Sequence, residues 1–309
     1  MRCFLFSALL LSLCNLGLMP KLYADANSDA DAKCVNCHKQ ELDSYKSGHH
    51  AKSWSTDKSK EQFNCSTCHG PGETHNAQAK PTAATIISFS KKSAQSIKEQ
   101  NARCLKCHES TNKLANWSFS LHKKNDLACS TCHPLMHAKA GAAKPEMKTC
   151  LECHKDIKAD LSKMSHHPMI EGKVTCVDCH NPHGTITKHN LKADSNNQLC
   201  YKCHGDKRGP YMWAHPPVEE NCLTCHKSHG SRYPKLLAEK TVSLCQNCHS
   251  DTRHPGTAYP GNVGFDNGPT KISSRLVGRQ CLNCHNNIHG SNTPADPSGS
   301  YHSGKTFMR

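Results

Sequence analysis

The feature that most constrains this chain is the motif C-x-x-C-H, which occurs ten times in 309 residues. On a helical turn, two thiols three positions apart share one face with the histidine that follows them. Disulfide frameworks and zinc ribbons do not require a histidine at that position every time, whereas C-x-x-C-H is the attachment motif of c-type haem. Each motif offers two thioether sulfurs and one axial iron ligand. The sequence therefore predicts ten covalently bound haem c groups.

The ten motifs use every cysteine of the chain except Cys3 and Cys14. The predicted attachment residues are Cys34, Cys37, Cys65, Cys68, Cys104, Cys107, Cys129, Cys132, Cys150, Cys153, Cys176, Cys179, Cys200, Cys203, Cys222, Cys225, Cys245, Cys248, Cys281 and Cys284. The predicted proximal iron ligands are His38, His69, His108, His133, His154, His180, His204, His226, His249 and His285.

The histidines outside the motifs predict a second, distal ligand for every iron. Most of them recur once per interval between motifs, and their number matches the ten irons when one is taken from each adjacent pair. Those that closely follow a motif are His75, His137, His183, His229, His254 and His289. Those that end longer connectors are His49 or His50, His122, His166 or His167, and His215.

The histidines that closely follow a motif are predicted to serve a neighbouring haem. His183 comes three residues after His180. At no more than ~3.6 Å per residue, so short a segment cannot pass round the edge of a macrocycle to its far face. Each such ligand would hold two haems close together, and a series of them would form a stack of haems with short gaps.

The start of the chain is typical of a secretory signal peptide over residues 1–24. A basic Arg2 precedes an apolar run, and the small residue Ala24 is suited to cleavage. The remaining chain has few large apolar side chains, since aromatic residues make up 6% and the mean hydropathy is -0.69. We therefore expect the porphyrins to form the interior, and the protein without haem to be largely disordered.

The spacing of the motifs predicts a repeat array built around cofactors. Intervals between motifs run from 21 to 39 residues, which is too short for separate globular cores. Five motifs precede residue 160 and five follow it, which predicts an N-terminal five-haem half over residues 25–160 and a C-terminal five-haem half over residues 161–309. Within the array, residues 93–108 predict an amphipathic helix, and residues 252–280, rich in Gly and Pro, predict a loop.

The net charge of +14 raises the question of a nucleic-acid partner. Ten haems would bring two propionates each, roughly -20 in total, and charges held together in a folded protein normally require neutralisation. The basic side chains are therefore assigned to the propionates. No nucleic-acid partner is predicted.

Several stretches resemble the MtrA/DmsE family of decahaem cytochromes, the periplasmic subunits of outer-membrane porin-cytochrome conduits. They are CYKCHGDKRGPYMWAHPPVEENCLTCHKSHG (residues 200–230), CVDCHNPHG, CHGPGETHN and CLNCHNNIHG. The resemblance implies a multihaem cytochrome c fold with little regular secondary structure, in which short helices and loops pack around a linear chain of ten haems. It also implies two histidine ligands on every iron, and it favours His49 and His167 within the two adjacent pairs.

The resemblance further implies a location in the periplasm, associated with the outer membrane. The implied partners are an outer-membrane β-barrel porin, an extracellular multihaem cytochrome or reductase, and electron-donor cytochromes of the periplasm or inner membrane. The implied acceptor pathways are metal or dimethyl sulfoxide respiration. A polar haem protein could cross a lipid bilayer only inside a closed barrel, which agrees with such a partner.

The function predicted is therefore electron transfer without chemistry at iron, so that the protein is not an enzyme. Two alternatives remain open at this point: a multihaem reductase with an open iron site, and a soluble periplasmic electron shuttle. A reductase needs an iron with an accessible distal position. All ten motifs are unaltered and the histidine count leaves no iron without a candidate ligand, which favours the conduit over the reductase.

Overall fold

The computed structural model describes residues 32–56, 64–90, 93–133, 147–249, 280–283 and 285–292. The predicted signal peptide, the distal candidates His137 and His254, and the attachment residue Cys284 lie outside these residues. The loop predicted over 252–280 lies outside them too, except for its last residue.

The described part of the chain consists of short helices joined by loops, which confirms the predicted fold class. Its α-helices are Lys39–Ser47, His49–Thr56, Cys65–His69, Glu73–Asn76, Ile97–His108, Leu121–Lys124, Cys129–Cys132, Met147–Leu151, Lys155–Leu161, Cys176–Cys179, Asn196–Cys200, Pro216–Glu220 and Thr241–Gln246. Its 3-10 helices are Ala83–Thr85, Asn112–Leu114, Trp117–Phe119, Lys188–Asn190, Gly205–Lys207, Cys222–Thr224, Pro234–Leu236 and Cys281–Asn283. None of these described helices is long and apolar enough to cross a membrane.

Many of these helices begin at a haem motif because the residues around the first cysteine cap a helical turn. At the sixth motif, the backbone N–H of Thr175 donates to the Asp178 carboxylate at 2.7 Å. At the second motif, the Asn64 N–H donates to Thr67 Oγ1 at 3.1 Å. Such reciprocal caps satisfy backbone donors that the first turn of a helix would otherwise leave unpaired.

The helix predicted before the third motif is confirmed as Ile97–His108. Ser96 caps its first turn: the Ser96 Oγ accepts from the Glu99 N–H at 3.2 Å, and the Ser96 N–H donates to the Glu99 carboxylate at 2.8 Å. Its most buried residues are the polar Gln100 and Asn101. The apolar residues expected on its inner face are only half-buried.

Extended structure is limited to pairings of one or two residues. Ser165–His166 and Gly230–Ser231 form an antiparallel sheet in which Ser165 pairs with Ser231 and His166 pairs with Gly230. Single antiparallel bridges join three further pairs, His180 with Leu191, Trp213 with Ser291, and His226 with Leu237. All of these pairings contain a histidine or lie within two residues of one, so they fix the positions of imidazoles rather than build a sheet.

Among the described residues, the buried apolar side chains are few. They are Trp117, Ala128, Leu161 and Met169. A chain of this length normally buries well over half of the surface that its unfolded form exposes. The small number of buried apolar side chains supports the expectation that bound porphyrins supply most of the interior.

Contacts divide the described residues into two compact units. One contains the described residues up to Lys106 together with His133, and the other contains Cys107–Cys132 and the described residues from Met147 onward. A division by contacts and a division by haem number are different quantities. The boundary between five-haem halves near residue 160 therefore stays a prediction.

Candidate haem sites

The attachment motifs are closed by a backbone hydrogen bond from the histidine to the first cysteine. The His180 N–H donates to the Cys176 carbonyl at 2.9 Å, and the same bond is 2.9 Å long between His38 and Cys34 and 2.8 Å between His285 and Cys281. This i to i+4 bond brings the imidazole to the face that carries the two sulfurs. The motifs are thus shaped locally for two thioethers and one proximal ligand.

Six of the proximal histidines face a histidine from outside the motifs. The ring centroids in these pairs are 6.1 to 6.3 Å apart. The facing pairs, with the proximal ring first, are His38 and His75, His154 and His122, His204 and His167, His180 and His229, His249 and His215, and His226 and His289.

This separation fits two imidazoles on opposite sides of one metal ion. A metal to nitrogen bond of about 2 Å, with about 1.15 Å from that nitrogen to the ring centre, puts two such centroids roughly 6.3 Å apart. Centroids of rings in ordinary contact range over about 4.5–7 Å, so it is the recurrence of nearly one value in six proximal and distal pairs that points to a shared metal. The facing pairs therefore fit the two axial positions of a haem iron.

Hydrogen bonds leave one nitrogen of these rings available to iron. Nδ1 lies 2.8 Å from the Pro182 carbonyl in His122, 2.8 Å from the His189 carbonyl in His180, and 2.9 Å from the Lys235 carbonyl in His226. A carbonyl accepts only, so Nδ1 carries the proton and Nε2 keeps its lone pair. These contacts also fix the orientation of each ring.

Burial favours the neutral form of several distal candidates, which is the form that a metal ligand requires. Burial lowers the pKa of His229, and the neighbouring His180 lowers it further. Burial likewise lowers the pKa of His215, with a further contribution from His249. The pKa of His289 is lowered first by burial and then by Lys207.

Of the two adjacent histidine pairs, the second is separated clearly. His167 faces the proximal His204, while Nε2 of His166 lies 3.1 Å from a Glu171 carboxylate oxygen. In the first pair, His49 is exposed, whereas His50 is half-buried with its Nδ1 inside the protein. Burial thus favours His50 over the predicted His49. The choice within the first pair stays a prediction.

The short-offset candidates that appear in these pairs do not face their own motif. His75 follows the second motif and faces His38 of the first. His229 follows the eighth motif and faces His180 of the sixth, and His289 follows the tenth and faces the eighth. This is the arrangement expected from the reach of the chain. His183 lies with its ring edge-on to Trp117, at a centroid distance of 6.2 Å.

Attachment cysteines of successive motifs lie next to each other in an alternating pattern. At three of the six steps between successive motifs, the first cysteine of one motif is hydrogen-bonded to the first cysteine of the next. These pairs are Cys150 with Cys176, Cys200 with Cys222, and Cys245 with Cys281. At the other three steps, burial raises the pKa of the second cysteine of the earlier motif, and the second cysteine of the next motif raises it further: Cys153 acts on Cys132, Cys203 (after Asp178) on Cys179, and Cys248 on Cys225. Motifs four to ten thus follow one another in space in chain order.

Free thiols at Cys200 and Cys245 would be held mainly in the protonated form. Burial raises the pKa of both Cys200 and Cys245 to about 11, with a smaller contribution from the neighbouring cysteine. A thioether has no proton to lose, so attachment of haem removes this titration. For the loaded protein, the shifts matter only as evidence that the sulfurs lie close together.

A cleft that is open to solvent lies between the first two motifs, and its lining is largely apolar. Its walls include Cys34 and His38 of the first motif and Cys65 and His69 of the second. The residues present therefore fit a porphyrin.

Comparison with known proteins identifies the family of this chain. The chain is 40% identical over 288 residues to the multiheme cytochrome MtrA of Shewanella baltica, covering 90% of this chain and 84% of that protein. The chain belongs to the MtrA family of multihaem cytochromes. A second match is weaker and partial: the cytochrome c-type protein NrfB of Haemophilus influenzae is 35% identical over 100 residues, 29% of this chain and 43% of NrfB.

Family descriptions of haem-binding segments match along this MtrA homologue. The doubled CXXCH motif matches residues 166–209 and 215–254, the NrfB-like cytochrome c-type protein matches 65–147, and cytochrome c554 and c-prime matches 33–64. The chain is thus a multihaem c-type cytochrome that binds haem c through its CXXCH motifs and transfers electrons.

Sequence reasoning missed the carbonyl groups that orient the distal rings. His122 and His167 reach the carbonyls of Pro182 and Ser228, each of which directly precedes a short-offset histidine. The signal that could have found them is a repeated triplet, since a glycine and then a hydroxyl residue follow His183, His229 and His289.

Proposed function

We propose that this cytochrome carries ten haem c groups, each held by two histidines, and serves as an electron conduit through the outer membrane. In this proposal it lies in the periplasm, enters a β-barrel porin partner, receives electrons from donor cytochromes of the periplasm or inner membrane, and delivers them to an extracellular multihaem cytochrome or reductase. The observation that carries the proposal is the set of six facing imidazole pairs at 6.1 to 6.3 Å.

The facing imidazoles favour electron transfer over catalysis at iron. When bound, each haem supplies one-electron exchange between the ferric and ferrous states of its iron. The residues that would hold the second axial position are His75, His122, His167, His183, His215, His229 and His289, with His49, His137 and His254 as the remaining predicted ligands. A position filled by an oriented imidazole leaves no room there for a substrate, so these side chains hold the iron and exclude other ligands.

The order of the motifs favours a continuous path. Sulfur atoms of successive motifs adjoin from the fourth motif to the tenth, alternating between first and second cysteines. Groups attached at these sulfurs would follow one another without a gap in the series. Electrons could then enter near one end of the series and leave near the other.

The barrel partner is proposed from the properties of the bilayer and from kinship with MtrA. The hydrocarbon core is ~30 Å thick, and only helices or closed barrels face lipid. The described segments are short helices and loops with many polar side chains, so they could reach the far side of a membrane only within such a barrel. Metal or dimethyl sulfoxide respiration would supply the final acceptor.

The first test is a haem count combined with the spin state of the purified mature protein. Mass spectrometry should find ten covalent haems, and the electron paramagnetic resonance spectrum of the oxidised protein should be low-spin throughout, because every iron has two imidazole ligands. A stoichiometric high-spin signal would instead support a reductase with an open iron.

The second test separates a conduit from a free periplasmic shuttle. The tagged cytochrome is purified from detergent-solubilised outer membranes, and the co-purified β-barrel is reconstituted with it into vesicles that contain an oxidised dye. An external reductant should then reduce the dye only when both proteins are present. Recovery of the whole cytochrome in the periplasmic fraction, with no transfer across vesicles, would support the shuttle.

A further inference from the structure

Three copies of one contact link pairs of distal candidates in the second unit. We call this contact a distal junction: a connector histidine approaches the backbone of the residue that directly precedes a short-offset histidine. The three junctions are His122 with Pro182 and His183, His167 with Ser228 and His229, and His215 with Ile288 and His289.

At two of the junctions, the connector histidine donates a hydrogen bond from Nδ1 to the backbone carbonyl that precedes the short-offset histidine. Nδ1 of His122 donates to the Pro182 carbonyl at 2.8 Å, and Nδ1 of His167 donates to the Ser228 carbonyl at 2.5 Å. His215 lies beside the Ile288 backbone, but its buried Nδ1 makes no hydrogen bond of good geometry. The third copy therefore keeps the placement while losing the bond.

The backbone around the second and third junctions is paired in the same register. The residue two before the connector histidine pairs with the residue two after the short-offset histidine, Ser165 with Ser231 and Trp213 with Ser291. At the first junction, the corresponding residue is Ser120, which is 1% exposed and donates through Oγ to the Pro182 carbonyl at 3.2 Å. The first junction therefore holds the equivalent residue against the same turn, but through a side chain bonded to Pro182 instead of the backbone pairing of the other two.

The ring partners at the junctions advance by two motifs at each step. The connector histidines His122, His167 and His215 face the proximal rings of motifs five, seven and nine. The short-offset histidines His229 and His289 face those of motifs six and eight. At the second and third junctions, where both histidines face a proximal ring, the short-offset histidine thus faces the motif just before the one that its connector histidine faces.

We propose that His183 is the distal ligand of the haem attached at Cys129 and Cys132, the fourth motif. The inference rests on the proposed two-histidine ligation. His122 of the first junction faces the fifth motif, so equivalence of the three junctions assigns its partner His183 to the fourth. The segment Asn181–Gly184 then serves two neighbouring haems, the fourth through the His183 ring and the fifth through the carbonyl that orients His122.

Packing around His183 is suited to a fixed ligand. Trp117, which is 9% exposed, meets the His183 ring edge-on with an interplanar angle of 77°. Gly184 has φ +106, and a Cβ there would lie 2.6 Å from the Asn116 carbonyl oxygen, so only glycine allows this close approach. The same helical segment that contacts Gly184 thus encloses the ring on one side.

The test is replacement of the histidine in two haem-deficient backgrounds. In the full protein, His183→Ala should keep ten covalent haems and convert one from low-spin to high-spin. In a Cys129→Ser/Cys132→Ser background, which lacks the fourth haem, the same change should add no high-spin signal. In a Cys176→Ser/Cys179→Ser background, which lacks the haem of its own motif, it should still add one.

The matched control is His302→Ala, a histidine assigned to no iron, which should leave all haems low-spin. A high-spin signal that persists without the fourth haem overturns the assignment. If a haem-deficient background does not fold, the axial ligands seen in an experimental structure of the loaded wild-type protein decide: a ligand other than His183 on the fourth haem overturns it. Failure of two-histidine ligation itself would differ, because the wild-type protein would already be high-spin.

Discussion

At the residue scale, two adjacent histidines have opposite surroundings. The His167 ring faces His204 at 6.3 Å and its Nδ1 donates to the Ser228 carbonyl. The His166 ring has both nitrogens engaged, with Nδ1 2.8 Å from the Lys163 carbonyl and Nε2 3.1 Å from Glu171. These contacts raise the pKa of His166, the Lys163 carbonyl first and Glu171 second. Only His167 has a nitrogen directed to a proximal ring.

Replacing each histidine of this pair in turn tests which one binds iron. We expect His167→Ala to turn one of ten haems high-spin, because the seventh haem loses an axial nitrogen. We expect His166→Ala to leave every haem low-spin. The measurement is electron paramagnetic resonance of the oxidised proteins, with mass spectrometry to show that covalent haem is retained. A high-spin haem in the His166 variant alone would reverse the choice.

The attachment residues could be predicted from sequence because their chemistry depends on spacing within five residues. The identity of the distal rings depends on chain paths of tens of residues, such as the 61 positions between His167 and Ser228. Spacing alone therefore identified candidate distal ligands, but it did not decide which histidine of each adjacent pair binds iron. For His49 and His50, burial now points away from the choice that the family resemblance favoured.

At the element scale, the helix that carries the third motif depends on its first turn. Ser96 and Glu99 cap each other reciprocally through contacts of 2.8 to 3.2 Å. Such caps matter most in a helix whose inner face is polar, since packing contributes less there. The helix Ile97–His108 has Gln100 and Asn101 as its buried residues.

Removing the cap should loosen the start of this helix without loss of haem. We expect Ser96→Ala to speed hydrogen exchange of the first-turn amides about fivefold, equivalent to the roughly 1 kcal/mol typical of a lost N-cap. Exchange should be unchanged at the helix Lys155–Leu161, which serves as an internal control. Unchanged exchange at Glu99 would show that the cap does not hold the helix.

The same cap should depend on pH through Glu99. Hydrogen bonds from the side chain and then the backbone of Ser96 lower the pKa of Glu99. The cap therefore stabilises the helix above the carboxyl's unfolded pKa and is lost as pH falls through the lowered, folded pKa. In Glu99→Gln, first-turn exchange should lose this dependence, which distinguishes the cap from general acid unfolding.

Helix positions were predictable where a cap or a motif fixed them, as at residues 97–108. The distal junctions were not, because they pair residues such as Ser165 and Ser231 that are distant in sequence and have no alternating apolar pattern. Each pairing is only one or two residues long. A strand signal needs at least four to eight patterned residues to be recognised.

At the scale of the whole molecule, the interior is built from few apolar side chains. The described residues bury only Trp117, Ala128, Leu161 and Met169 among their apolar groups. The sequence predicted this from its low aromatic content and mean hydropathy. It could not predict which side chains would be buried, because the shape of the interior is set by groups that the sequence does not contain.

Protein made without haem attachment should therefore fail to fold. We expect chain expressed in cells that lack cytochrome c maturation to show little helical circular dichroism and rapid digestion by protease, because the side chains alone do not bury enough apolar surface. The loaded protein made in maturation-competent cells is the control. A helical, protease-resistant chain without haem would show that side-chain packing suffices.

The step of two motifs between a short-offset histidine and the ring that it faces has a consequence for biogenesis. A chain exported from its N-terminus delivers the sixth attachment site well before His229, and the eighth before His289. Under the proposed ligation, each of these irons waits with one coordination site open until a later portion of the polypeptide has crossed the membrane. Haems would then gain their second ligand one after another from the N-terminus. In a prematurely terminated chain, the last haems attached would keep an open coordination site that oxygen and other small ligands could occupy.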